Sequence, residues 1–264
     1  MIHAYDITTY GERIAEVYDQ WPGVPQNTEA VVTCLTRLAG RGPVLELGIG
    51  TGRIALPLAQ RSFSVHGIDA SPAMVAQLQA KPGGAHLPVT IGDFADMAVE
   101  GRFTLIFVVF NTFFGVLSQD DQVRCFRGVA QHLTDDGAFV LEAFVPDLTR
   151  FDRGQRVQAR EVEPGLVHLE VSVHDPVQQR VMGQHIVLSD QGIRLYPVQL
   201  RYAWPSELDL WPAWPASSSS TAGQGGPRNR LRRPAGVMCR SIGAPHKCRE
   251  ASQEIRGRVP RTCG

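Results

Sequence analysis

Between residues 44 and 144, short apolar runs alternate with helix-compatible stretches, and no other feature limits the fold as tightly. Residues 44–47 (Val-Leu-Glu-Leu) read as a short buried strand ending in glycines, 52–61 as a helix, and 64–69 as a second strand. Ser71-Pro72 opens the next helix, with a capping side chain before a proline at the first helical position. Strands at 89–93 and 103–110, a helix at about 120–133 capped near Ser118, and a strand at 138–144 after Gly137 complete the series. The run 103–110 is almost unbroken in apolar residues, as expected of a strand covered on both faces. Five strands alternating with helices predict an α/β fold built on a doubly wound, mainly parallel sheet.

The flanking regions follow other rules. Ahead of the sheet, Ile14, Val17, Tyr18 and Trp21 share one side of a predicted helix over 11–22. After Pro22-Gly23-Val24-Pro25, a second helix runs from Asn27 or Thr28 to about Gly40. Behind the sheet, residues 167–174 alternate with period two, and 181–188 and 193–202 are also strand-like. Asp175-Pro176 and Asp190-Gln191-Gly192 supply the turns between them. The predicted organisation is an N-terminal helical cap (1–40), the α/β core (41–150), an antiparallel β lobe inserted after the fifth strand (151–204), and an aberrant basic segment (205–264).

At 43% hydrophobic and 20% charged residues, the chain can bury an ordinary core. No apolar stretch approaches the ~18 residues of a membrane helix, and the start, Met1-Ile2-His3-Ala4-Tyr5-Asp6, lacks a basic region followed by an apolar one. The cysteines (Cys34, Cys125, Cys239, Cys248, Cys263) form no CxxC pair and no zinc spacing. Reduced thiols, no metal, no membrane and a cytoplasmic location are the expectations.

The chemical signal is Glu46-Leu47-Gly48-Ile49-Gly50-Thr51-Gly52-Arg53, between a strand and a helix. Glycines at such a turn let backbone approach a ligand and leave N–H groups available at the helix start. A dinucleotide fingerprint G-x-G-x-x-G wants glycine where Arg53 stands, and a phosphate loop wants Gly-Lys-Ser/Thr, which is absent. In the third reading, S-adenosylmethionine (SAM), E-x-G-x-G-x-G resembles the first motif of the class I SAM-dependent methyltransferases.

Further motifs follow in that family's order over about residues 10–145. Gly67-Ile68-Asp69, with Ala70, ends the second strand, where the resemblance implies a carboxylate for the ribose diol. Ser71 and Met74 continue it in D-x-S-x-x-M spacing, the methionine lying against the adenine. Gly92-Asp93-Phe94 ends the third strand with an acid for the adenine amine beside an apolar wall. Phe110-Asn111-Thr112 ends the fourth at the mouth of the reaction site, and Tyr18 covers the methionine end. The implied cofactor set is therefore Tyr18, Glu46, Gly48, Gly50, Gly52, Arg53, Asp69, Ala70, Met74, Asp93, Phe94, Phe110 and Asn111 in a Rossmann-like core, with Phe113 and Phe114 facing the acceptor.

Methyl transfer from a sulfonium needs alignment and exclusion of water more than it needs a base. Should the acceptor require deprotonation, His168, His174, His185, Tyr196 and Tyr202 of the lobe are the candidates. Residues 1–210 hold 16 Lys+Arg against 24 Asp+Glu, and this acidic surface argues against nucleic acid. The lobe resembles that of small-molecule methyltransferases, including bacterial natural-product enzymes. A small-molecule acceptor is expected, its N, O or C atom left open, and a homodimer is also left open.

After Pro205-Ser206-Glu207-Leu208-Asp209-Leu210 the pattern departs from the family, whose fold normally continues with a helix and two closing strands. Pro212 and Pro215 break the helix just begun, and serines, glycines and arginines follow. Residues 211–264 carry 10 Lys+Arg against 2 Asp+Glu, reversing the charge of the rest. In the neighbouring reading frame, G/C-rich codons permit a helix ending in glycine, a β-branched strand, an alternating strand near 237–242, and a stop at the codons for His246 and Lys247. The order matches the elements that are missing, so a frame-shifted, disordered tail and missing closing strands are expected. The alternative function that follows is SAM binding with impaired turnover.

Overall fold

A computed structural model describes residues 5–21 and 28–211. Helix α1 (Thr9–Ile14), a 3-10 turn (Tyr18–Gln20) and helix α2 (Thr28–Ala39) lead into β1 (Val44–Leu47), α3 (Ala55–Gln60), β2 (Val65–Asp69), α4 (Pro72–Gln79), β3 (Val89–Ile91), β4 (Phe103–Val108), α5 (Gln119–His132) and β5 (Leu133–Leu141). The antiparallel strands β6 (Gln155–Glu163), β7 (Leu166–Asp175), β8 (Arg180–Ser189) and β9 (Gly192–Arg201) follow, then α6 (Pro205–Leu210).

The first five strands form one parallel sheet in the order 3-2-1-4-5, a Rossmann-like arrangement. The order reverses between β1 and β4, so the crevice for a ligand opens at their carboxyl ends. β4 shows why the sheet is wound on both faces. Leu105 and Phe107 pack with α2 and α3, whereas Ile106 and Val108 pack with α5, and all four are fully buried. Fully burying such a side chain contributes roughly 1.5–3 kcal/mol.

Several local expectations shift. The helix predicted over 11–22 is split, because α1 ends at Ile14 and the chain tightens into a 3-10 turn at Tyr18. The helix predicted from Gly52 starts only at Ala55, since Gly50 and Gly52 hold positive φ values that no α-helix accommodates. β5 starts at Leu133 instead of 138, directly after α5, with a register shift between Phe103 and Leu105 on β4 that absorbs the extra residues. The caps at Ser71 and Ser118 are both made, to the N–H groups of Met74 and Asp121.

The lobe is a meander of four strands, 6-7-8-9; β6 lies outside the strands expected from sequence because its apolar positions, Val157, Ala159 and Val162, lose period two at the irregularity between Ala159 and Glu161. It joins the core through Arg201, 6% exposed, whose guanidinium meets Gln122 of α5 at 2.5 Å and Gln179 and Glu207 each at 2.9 Å. Among the described residues the parallel sheet ends at β5. The tail expected to be frame-shifted and disordered lies, from 212 onward, outside the described residues.

Candidate active site

At the end of β1 the chain turns through Gly48, Gly50 and Gly52, with φ of +73°, +54° and +79°. At Gly48 a Cβ would also stand 2.4 Å from the Thr112 methyl. The N–H groups of Gly48 and Ile49 both donate to the Ile68 carbonyl, which holds the turn against β2. Asp69, at the end of β2, clamps it from the other side. One oxygen accepts from Gly50 N at 2.7 Å and the other from Ser71 N at 2.9 Å. Burial raises the Asp69 pKa, and these backbone donors pull against that rise. A carboxylate offers about four lone-pair sites, so capacity remains for a ligand hydroxyl.

A second lock lies behind the loop. Thr51 Oγ1 donates to Asp19 at 2.7 Å, and Lys81 Nζ bridges Asp19 (2.6 Å) and the Thr51 carbonyl (2.7 Å). Asp19 follows Tyr18, so the same contact seats Tyr18 at the cavity rim. Glu12 of α1 accepts from Ser71 Oγ and Ala73 N, tying the N-terminal cap to α4.

The loop, Asp69 and Ala70 face a cavity of about 520 Å³. Glu46 lines it while only 4% exposed; burial pushes its carboxyl well above the usual range, and Oε2 has no partner. Arg53 opposes that shift electrostatically and lays its guanidinium 3.8 Å above the Phe110 ring. Phe110 and Asn111 both have positive φ, +58° and +66°. Non-glycine residues held this way cost of order 1–3 kcal/mol each and cluster at functional sites. The strained corner is fixed by Phe144 N, which donates to Asn111 Oδ1 at 2.7 Å, and by Glu142, which accepts from Phe110 N at 3.3 Å. Met74, Asp93 and Phe94 complete the cavity wall on the β2–β3 side.

Of the residues singled out from sequence, Tyr18, Glu46, Gly48, Gly50, Arg53, Asp69, Ala70, Met74, Asp93, Phe94, Phe110 and Asn111 line this one cavity. Gly52 does not. Its place is structural, since a Cβ there would stand 2.2 Å from Leu78 of α4. Phe113 and Phe114 also do not. Both are fully buried; Phe113 packs edge-on against Phe126, and Phe114 against Phe144. The 3-10 turn Thr112–Gly115 directs them into the core, a rotation that strand-end position alone does not reveal.

None of the five lobe base candidates lines the cavity. His168 and His185 pair at 3.1 Å under the Trp21 ring, Tyr196 packs on that same ring, and His174 pairs with Tyr202 at 2.9 Å. The cavity roof is instead made by Tyr5, Asp6, Ile7 and Tyr10 and by Val198, Gln199 and Leu200 of β9, with Gln199 N donating to Tyr5 Oη at 3.1 Å. No local signal marks these residues, because the partners are 194 positions apart. Among the described residues no group of three or more His, Cys, Asp or Glu side chains could hold a metal, and no helix is long and apolar enough to cross a membrane.

Residues 44–137 match a family model described as a methyltransferase domain. The CcbJ methyltransferase of Streptomyces caelestis, a solved structure, superposes with a TM-score of 0.74 at 43% identity, covering 78% of this chain and 86% of that one. The cypemycin N-terminal methyltransferase of a Streptomyces species is 31% identical over 53% of this chain, and the match spans 58% of that protein's length. SAM-bound CalS10, an amino pentose methyltransferase from Micromonospora echinaspora, shares the fold at 22% identity and a TM-score of 0.58, covering 81% of this chain and 89% of that one. The ordered motifs, the cavity they surround and the 43% identity across most of a solved methyltransferase lead to one assignment: this chain belongs to the S-adenosyl-L-methionine-dependent methyltransferases.

Proposed function

We propose that the protein methylates a small-molecule amine, using the cavity at the carboxyl ends of β1, β2 and β4. The observation that carries the reading is the pairing, in one cavity, of an unpartnered buried carboxylate oxygen on Glu46 with the Arg53 guanidinium. The amino-acid end of SAM is a zwitterion: its ammonium can donate to the unpartnered Glu46 oxygen and draw the raised carboxyl back towards its ionised form, and the Arg53 guanidinium offers a counter-charge to its carboxylate. Asp69 has the spare acceptor capacity for the ribose diol. Asp93 and Phe94, with Met74 across from them, suit an adenine: an acceptor for its amine and apolar walls for its ring. The bound cofactor supplies an activated methyl group on a sulfonium. The chain's part is to hold it with the acceptor lone pair in line and to exclude water. Tyr10, Tyr18 and Phe110 provide aromatic faces suited to a cation.

The amine assignment rests on the roof. Asp6 and Asp121 face the cavity, and no histidine or lysine lines it among the described residues. A neutral hydroxyl is a weak nucleophile unless a base takes its proton during attack, whereas a neutral amine attacks with its own lone pair, and the Asp6 and Asp121 carboxylates at the roof suit the ammonium form in which an amine arrives. The cypemycin enzyme's name also describes transfer to an N-terminus. Titration calorimetry with SAM, followed by turnover on matched amine and hydroxyl acceptors, tests the reading. Turnover on amines is expected. Turnover confined to hydroxyl acceptors overturns the amine assignment, and SAM binding without turnover on any acceptor favours a binding protein instead.

A further inference from the structure

Thr51 stands between the positive-φ residues Gly50 and Gly52 of the cofactor loop and is 1% exposed. Both its hydroxyl and its carbonyl are held from outside the loop. The hydroxyl donates to Asp19 Oδ1 at 2.7 Å, and the carbonyl accepts from Lys81 Nζ at 2.7 Å. Lys81 closes the triangle by pairing with Asp19 Oδ2 at 2.6 Å. Burial acts to raise the Asp19 pKa, but the Lys81 and Thr51 donors outweigh it and leave the carboxyl below its usual range. Lys81 is the only lysine in residues 1–210, and the residue type suits the place. A point ammonium can meet a carboxylate and a carbonyl on two different elements, whereas the flat fork of arginine suits one planar partner. The Lys81 and Asp19 side chains are 30% and 42% exposed, and an ion pair so exposed adds little to stability. Its significance therefore lies in what it joins.

The three residues belong to three elements. Asp19 lies in the 3-10 turn of the N-terminal cap, Thr51 in the loop after β1, and Lys81 just beyond the end of α4. The cap is pinned at the other end of α4 as well, where Ser71 Oγ accepts from Met74 N and donates to Glu12. Both pins thus reach the cofactor wall, one at the glycine loop and one two residues beyond Asp69. The same cap supplies Tyr5, Asp6 and Ile7 to the cavity roof and Tyr18 to its rim. We propose that Asp19 and Lys81 are positioning residues that couple the two ends of the cavity. A cofactor seated on the glycine loop fixes Thr51, Thr51 and Lys81 together fix Asp19, and Asp19 sets Tyr18 and the cap over the acceptor. The cofactor then binds the seated cap better than the released one, and by linkage a seated cap strengthens cofactor binding by the same factor. The proposal rests on the family's cofactor and is independent of the amine reading.

Hydrogen exchange of the full chain, with and without saturating SAM, tests the link without any acceptor. In the wild type, SAM should slow exchange both in the loop (48–52) and in the cap (9–21). In Lys81→Met and in Asp19→Ala it should still slow the loop but no longer the cap, and calorimetry should show SAM affinity reduced at least ~5-fold. The double variant should bind within ~2-fold of the weaker single one, because both changes cut one link. Arg102→Met is the control. Arg102 also bridges a carbonyl (Leu133, 3.0 Å) and a carboxylate (Asp135, 3.3 Å), but at the amino end of β4 and outside the cavity lining, so both readouts should stay at wild-type values. A cooperative melt identifies folded variants, and if one single variant fails to fold the other carries the test. Cap protection that persists in a folded single variant, or that is absent from the wild type, overturns the proposal. So does the same loss in Arg102→Met. Loss of loop protection at saturating SAM, or unfolding of both single variants, also overturns it, because the network would then support the site or the fold itself.

Discussion

β4 in the parallel sheet and β7 in the lobe are both rich in apolar residues, yet they use them in opposite ways. On β4, Leu105, Ile106, Phe107 and Val108 alternate between two covered faces and none is exposed. On β7, the polar residues His168, Ser172 and His174 are buried, while Val173 is 47% exposed. The parallel sheet is closed by its own crossover helices, and its energetics lie inside one chain. The antiparallel sheet has no helix over its outer face among the described residues, and its inner face packs His168, His185 and Tyr196 against the Trp21 ring of the N-terminal cap. One region is built to be stable and the other to join parts together.

The largest expected effects test that division. Phe107→Ala removes a fully buried ring and should cost about 3–5 kcal/mol; Val157→Thr, 70% exposed, should fall within about 0.5 kcal/mol in dilute, monomeric samples. Thermal melts of both check the contrast, and a comparable loss at Val157 would mean that the chain itself covers the lobe face. At the joint between the regions, Arg201→Ala takes the cation away from the half-buried Glu207 carboxylate, leaving it only the neutral donors of Gln119, Gln179 and Trp204 N, and leaves Gln122 without its buried partner. A loss of about 3 kcal/mol is expected, read as a lowered melting temperature. If it is below about 1 kcal/mol, the regions are held by packing alone.

Next comes the cofactor loop. Asp69→Ala removes a charge-assisted acceptor worth about 1.5–3 kcal/mol and should weaken SAM binding at least ~10-fold by calorimetry. Gly50→Val should abolish binding, because valine resists the +54° φ and fills space beside Met74. Wild-type affinity in either variant removes that residue from the site.

The smallest effect is a pH dependence confined to the lobe. Burial lowers the pKa of both His168 and His185, against the opposing pull of the nearby Glu170. The unfolded chain therefore binds more protons below its histidine pKa of about 6.5, so the pair's contribution is present above that pH and lost as pH falls through the lowered folded values. Each histidine can contribute at most about 1.4 kcal/mol per pH unit. Melts between pH 7.5 and 5 should slope downward on acidification, less steeply in His168→Gln/His185→Gln; equal slopes would show that the pair titrates as it does unfolded.

The sequence by itself determined the parallel sheet and most of its site. Local patterns suffice there: an apolar run covered on both faces needs helices on each side, the caps at Ser71 and Ser118 depend on neighbours three residues away, and the glycines after Glu46 admit few other uses. Because the cavity gathers strand ends, the ordered motifs that resemble the family's at those ends put Asp69, Asp93 and Asn111 along its wall. Only the tertiary structure decided what closes the cavity and which way its aromatic residues turn. Phe113 and Phe114 point into the core because a 3-10 turn rotates them there. Tyr5 and Gln199 meet across nearly the whole chain, and Gly52 is fixed by Leu78 on another helix. The same limit governs the lobe. Period-two alternation fixes which residues share a face, but which face turns inward depends on what packs against it, and that partner is distant in sequence.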